Sequence, residues 1–232
     1  MQLPSSPDPQ KFSAIESAIQ SERLSRYMAA ADNDIEQAFR LYLWNCALCE
    51  AFYIPLHFCE IICRNSIHKG LRAKLGNNWY ENETFVNLLA ERYQHELKDA
   101  VKKEREQHGS ITAHHIVSAL SFGFWQHMVT KRFERLLWNE GIRKHFPNAP
   151  AHKDREDLHL LIETIRRWRN RIAHHRAIFD KKPMAKYQDA LQLIKWACAD
   201  TAGYVASISK VPLVISLRPK DSDLFTEGNP NL

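Results

Sequence analysis

Apolar residues recur at helical spacing along most of the chain. From Lys11 a helical pattern runs to about Ala31; Asp32, Asn33 and Asp34 then offer an N-cap, and Ile35, Phe39, Leu43, Cys46 and Cys49 continue at three- and four-residue intervals. Pro55 predicts a helix end or kink and suits the first position of the next helix, which runs from Leu56 toward Leu75 and stops at Gly76-Asn77-Asn78. A strongly charged helix is predicted from about Glu83 to Gln107, with Phe85, Leu88, Leu89, Tyr93, Leu97 and Val101 on one face and His108-Gly109-Ser110 closing it. The next runs from near Thr112 to Gly141, with a kink at Ser121-Phe122-Gly123. His145 to Lys153, with Pro147 and Pro150, reads as a loop, after which Asp154 or Asp157 caps a helix through Arg171. A last helix spans roughly Met184 to Ser207, and the VPLVISL run after it, which contains Pro212, reads as a short strand or an extended strap.

Composition supports this all-α reading. The chain has 232 residues, 44% of them hydrophobic, and only 7 glycines, fewer than strands and tight turns would want. One all-α domain is expected over residues 11–207, after a proline- and serine-rich flexible lead-in at 1–10 and before an extended tail at 208–232. The net charge of +5 permits a polyanionic partner without demanding one. The opening MQLPSSPDPQ is polar, unlike a signal peptide, and no uninterrupted apolar run of spanning length stands out, so a soluble cytoplasmic protein without membrane contact is expected. The odd count of five cysteines argues against a disulfide framework.

The candidate chemistry lies between Leu158 and Arg176. At roughly 100° per residue, Leu158, Leu161, Ile162, Ile165, Trp168 and Ile172 share one apolar face, and Arg169 falls inside it. An arginine there needs a paired carboxylate or an anionic ligand. On a second face Glu163, Asn170 and His174 stack at i, i+7 and i+11, with His175 beside them at the helix end. Cleaving RNA by attack of its 2′-hydroxyl requires a base, a cation for the phosphorane charge and an acid for the leaving oxygen; His and Arg suit these tasks, an Asn amide orients them, and no metal or other cofactor is required.

The string LLIETIRRWRNRIAHHRAIF (160–179) resembles the signature of the Abi-like (abortive infection) family within the HEPN superfamily, whose nuclease motif is Arg, four to six residues, then His. PLHFCEIICRNSIHKGL (55–71) with GNNWY (76–80), and SALSFGFWQHMV (118–129), resemble that family's first and central blocks in the same order. The resemblance implies a HEPN-like helical bundle, here with additional N-terminal helices and a short irregular C-terminal tail. It also implies an endoribonuclease centre at Arg169, Asn170 and His174, and a role in antiviral defence or as the toxin of a toxin-antitoxin pair. HEPN nucleases usually face two motifs across a dimer cleft, so a homodimer acting on RNA is expected. An antitoxin or guide RNA as a further partner is left open. In HEPN toxins silenced by adenylylation a tyrosine follows the motif histidine by two residues; Arg176 stands there in this chain. The same helices would also serve a non-catalytic HEPN module that binds RNA or a partner protein.

Other constellations read more plainly. His57, Glu60, Arg64 and His68 form a polar ridge in which Glu60 and Arg64 can pair; it serves either as a bracing ion pair or, with Asn65, as a wall of an RNA site beside Arg169. Cys46, Cys49, Cys59 and Cys63 lie on apolar helices and read as core thiols rather than zinc ligands. His114 and His115 read as a solvated helix start, and the basic groups Lys102, Lys103, Arg105 and Lys131, Arg132, Arg135 as solvated faces, either of which could track an RNA backbone.

Overall fold

The computed structural model describes residues 7–139 and 141–219. Among them twelve α-helices occur and no strand: α1 (Phe12–Ile19), α2 (Ser21–Ala30), α3 (Ile35–Ala51), α4 (Tyr53–Leu75), α5 (Glu83–Leu88), α6 (Glu91–His108), α7 (Ala113–Ala119), α8 (Phe122–His127), α9 (Arg155–Ala173), α10 (Pro183–Ala197), α11 (Ala199–Ile208) and α12 (Val211–Ser216). The fold is all-α. The described residues divide into two compact units, one of residues 7–54, 170–187 and 209–219, the other of residues 55–139, 141–169 and 188–208.

In the first unit α1, α2 and α3 pack through aromatic rings. Phe12 stacks on Phe39 with centroids 4.8 Å apart, and Tyr27 stacks on Phe179 at 4.9 Å. Asp34 caps α3, its Oδ1 accepting from the Gln37 amide at 3.0 Å. The VPLVISL run, expected as a strand or strap, is the helix α12. Its β-branched residues suggested a strand, but Pro212 suits a first helical turn and Val211 and Val214, one turn apart, are both buried. Trp44 fixes it further by donating from Nε1 to the Val214 carbonyl at 2.6 Å. The rest of the expected tail, beyond Pro219, lies outside the described residues, as does the lead-in up to Ser6; Asp8 caps a single 3-10 turn over Pro9–Lys11.

The second unit is built on a cluster of large rings: Trp79, Trp125, Phe85 and Phe124 are all fully buried. Helix α4 passes close to the chain at Gly141–Ile142, because a Cβ on Gly70 would lie 2.7 Å from the Ile142 nitrogen. Only glycine allows that approach.

Several predicted helices are broken where local capping competes with periodicity. The first splits at Gln20, with φ of 69°, into α1 and α2. The charged helix splits at Leu89–Ala90, and Ser121 restarts the chain as α8 by accepting from the Phe124 amide at 3.2 Å. The break between α3 and α4 falls at Phe52, ahead of Pro55. The proline sits in the first turn of α4, where its missing N–H forfeits no helical bond.

Among the described residues one helical stretch reaches membrane-spanning length once polar interruptions are allowed. Ile35–Leu75 is long and apolar enough by length and composition, since Asn45, Glu50 and His57 interrupt it without removing its apolar character. Of its most apolar window 44% is buried inside the protein.

Candidate functional site

Helix α9 begins with a reciprocal cap. Asp154 Oδ1 accepts from the Glu156 and Asp157 amides at 2.8 and 3.0 Å, and Asp157 Oδ2 accepts from the Asp154 amide at 3.1 Å. A hydrogen bond from Lys153 holds the Asp157 carboxyl below its ordinary range. The helix buries Leu158, Leu161, Ile162, Ile165 and Trp168 of the apolar face expected from the sequence, while Ile172 is half-buried. Glu163 pairs with Arg167 at 2.6 Å, four residues on. Arg166 donates to the buried Gln126, whose amide nitrogen faces His159 Nε2 at 3.4 Å.

Arg169 leaves the apolar stripe through Glu60. Its Nε donates to Oε2 at 3.1 Å and its Nη2 to Oε1 at 3.2 Å, a two-pronged contact between side chains 41% and 24% exposed. The expected Glu60–Arg64 pair is therefore not the one formed. A single-turn pair on one helix is worth a few tenths of a kcal/mol, less than the parallel fit of a guanidinium on a carboxylate. Arg64 instead has its Nε buried without a hydrogen-bond partner, and Asn65 is exposed. His68 belongs to the core, 6% exposed, with centroid distances of 6.0 Å to Trp79, 6.4 Å to Trp125 and 5.9 Å to His114. Burial, with the charges of His114 and Arg72, pushes its pKa down to about 4.

The division between the units falls within α9, between Arg169 and Asn170, and the rest of the motif belongs to the first unit. The Asn170 carbonyl accepts from the His174 amide at 3.0 Å, and the helix then closes on His175, whose φ of 53° is left-handed. The bonds of that closure are Arg176 N to Arg171 O and His175 N to Ile172 O, both 2.9 Å. This is the position where glycine is favoured; a histidine there carries strain and must be held by its surroundings. Arg23 does so, donating from Nη1 to the His175 carbonyl at 2.7 Å, and Arg171 Nε donates to the Ala177 carbonyl at 2.8 Å. Asn45, 5% exposed, accepts from the Ile178 and Phe179 amides on a single Oδ1 at 2.8 and 3.2 Å. The His174 side chain is left exposed on a well-anchored turn.

Arg23 and Asn45 were not singled out from the sequence. Asn45 had a legible signal, a polar residue in the middle of an apolar helix; Arg23, on a mixed helix, had none. All five cysteines are free. Burial raises the pKa of the Cys59 and Cys63 thiols, and among the described residues no group of three or more His, Cys, Asp or Glu is placed to hold a metal ion. His115 is less a solvated residue than a cap, its Nδ1 accepting from the Thr112 amide at 3.1 Å. Lys131, Arg132 and Arg135 are exposed.

No curated protein and no solved structure matches the chain. The model of the family described as Abi-like protein matches residues 12–180, from the start of α1 to just past the anchored turn. That span covers most of the chain, which therefore belongs to the Abi-like family, and membership suggests a part in abortive infection, the defence of a cell against phage.

Proposed function

We propose that the chain is a metal-independent endoribonuclease of the HEPN type, acting in phage defence or as a toxin. The observation that carries this is Arg169, a half-exposed arginine aligned by a carboxylate on the buried stripe of α9, in a helix that ends on the exposed His174. In this reading His174 takes the proton of the attacking 2′-hydroxyl or gives one to the departing 5′-oxygen. Arg169 stabilises the charge that builds on the phosphorus oxygens, and Asn170 orients the reacting groups. The products are a 2′,3′-cyclic phosphate and a free 5′-hydroxyl. A homodimer supplies a second copy of the motif, so that base and acid come from different protomers.

Purified protein incubated with structured RNA in EDTA tests this. Cleavage that is lost in His174→Ala and in Arg169→Ala supports it; intact RNA, or cleavage indifferent to His174, overturns it. The Arg169–Glu60 pair also favours a second reading, a non-catalytic HEPN module that binds RNA or a partner protein and uses the pair as a brace. RNA binding without cutting, unchanged in Arg169→Ala, would select that one.

A further inference from the structure

The first unit contains a cleft of about 440 Å3 beside the turn at His175, a size typical of ligand sites, about 300–1,000 Å3. Its aromatic corner is formed by the half-buried Tyr42 and by Tyr27, which is already stacked on Phe179; the two tyrosine rings stand at 81° with centroids 5.3 Å apart. Tyr42 is the ring on which a flat ligand can stack, with Tyr27 holding it from behind. Arg23 also lines the cleft, close enough to Tyr42 for its charge to act on the phenol, and uses Nη1 on the His175 carbonyl. Among the described residues no carboxylate lines it. Cys46 and Cys49 complete one wall, and burial keeps both thiols protonated at neutral pH, with Cys49 pushed up to about 12, so that wall is apolar and uncharged. Asn45, also in the lining, has its oxygen committed to two backbone amides, and its Nδ2 makes only a 3.8 Å contact with the Cys49 sulfur. Nδ2 is thus a donor with a weak partner, suited to a base carbonyl or ring nitrogen.

A stacking face, an amide donor, one cation and, among the described residues, no anion are the chemistry of a nucleotide. We infer that this cleft binds one nucleotide, its base in the tyrosine corner and its phosphate at Arg23. Resting on the ribonuclease reading, that nucleotide is a residue of the RNA flanking the cut, held against the residue next to His174. The cleft then sets which base lies beside the cleaved bond. A free nucleotide carries the same groups, and the experiment separates the two sources.

Cys46 is exposed in the cleft wall and reports occupancy without any need for catalysis. The full chain carrying His174→Ala is treated with N-ethylmaleimide, and modification of Cys46 is followed by mass spectrometry with Cys198, outside the cleft, as the internal control. Four-residue oligoribonucleotides of each base are compared with the four mononucleotides. The expected result is that at least one oligoribonucleotide slows modification of Cys46 and not of Cys198. Tyr42→Ala should weaken that protection roughly tenfold and Tyr42→Phe should keep it. Protection by mononucleotides and not by oligoribonucleotides would overturn the RNA source. Equal reactivity of Cys46 with and without either ligand at millimolar concentration would overturn the site. Cleavage of RNA by the wild-type chain is scored separately: cutting without protection rejects the cleft and leaves the nuclease standing, while protection without cutting rejects the nuclease.

Discussion

The guanidinium of Arg169 and the carboxylate of Glu60 meet edge to edge, Nε to Oε2 at 3.1 Å and Nη2 to Oε1 at 3.2 Å. The pair explains how an arginine occupies the apolar stripe of α9: the carboxylate from α4 neutralises it and fixes its plane. It also makes Glu60 a competitor for whatever anion Arg169 binds. Of the five N–H donors an arginine carries, two face Glu60, so a phosphate must share the guanidinium or displace the carboxylate.

Glu60→Gln separates these roles. Both side chains are partly exposed, so the pair is screened and contributes about 1 kcal/mol or less. The thermal midpoint should fall by no more than about 4 °C. RNA affinity should rise, because a competing charge is gone, whereas Arg169→Ala should lower it. Anisotropy with labelled RNA reads both, and a Glu60→Gln chain that binds RNA more weakly would show that the carboxylate serves the ligand rather than competing with it.

Asn45→Ala should be costly out of proportion to its size. It leaves the Ile178 and Phe179 amides without their shared acceptor, for a loss of about 2–3 kcal/mol. The damage should be local as well as global, with amide exchange at Ile178 and Phe179 accelerated at least tenfold under native conditions. Unchanged exchange at those two amides would mean that the turn is held by Arg23 alone.

Much of this was legible in the sequence, and the exceptions share a cause. Helical periodicity located the apolar face of α9, and Asp154 and Asp157 marked its start. An arginine inside that face signalled a paired carboxylate or an anionic ligand. Glu60 itself was read as able to pair with Arg64, because spacing on one helix reveals only neighbours on that helix and Arg169 arrives from another. The same holds for Arg23 and Asn45, which are distant in sequence from the turn they anchor. The helix breaks at Gln20 and Leu89–Ala90 were hidden because apolar residues keep helical spacing across a break, whereas the break at Ser121 falls where Ser121-Phe122-Gly123 predicted a kink. In α12 the β-branched run pointed to a strand, and burial of Val211 and Val214 decided otherwise.

His175→Gly should stabilise the fold. Glycine takes a φ of 53° without the clash that a Cβ brings, a gain of up to about 1 kcal/mol. His175→Val should do the opposite, because a β-branched residue tolerates that conformation least. Urea midpoints that move in the same direction for both variants would rule out backbone strain as the cause.

Two glycines should respond in opposite senses. A methyl at Gly70 would lie 2.7 Å from the Ile142 nitrogen and 2.8 Å from its Cα, so Gly70→Ala should cost about 1–3 kcal/mol. Gly203 lies inside α11 with nothing within 4 Å of an added Cβ, so Gly203→Ala should add up to about 1 kcal/mol through helix propensity. Thermal melts of the two variants, measured side by side, check the contrast.

Stability should fall as the solution is acidified from pH 6.5 to pH 4, before most carboxylates titrate. Burial depresses the pKa of His68 and His127 to about 4, and those of His145 and His159 in the same direction. His127 shows the physical reason for neutrality, since its Nε2 accepts from the Ala90 amide at 3.1 Å and a proton there would break that bond. In the unfolded chain these rings titrate near 6.5. Between pH 6.5 and 4 the unfolded state therefore binds protons that the folded state refuses, and acid draws the equilibrium toward unfolding. The stability is fully present above pH 6.5 and lost as the pH falls to about 4, with His68, the most buried of the four, contributing on the order of 3 kcal/mol. Urea midpoints at pH 7, 5.5 and 4.5 should decline steadily in the wild-type chain. His68→Phe, which keeps a ring among Trp79 and Trp125, should shorten that decline, and an unaltered pH dependence in this variant would place the acid sensitivity on other groups.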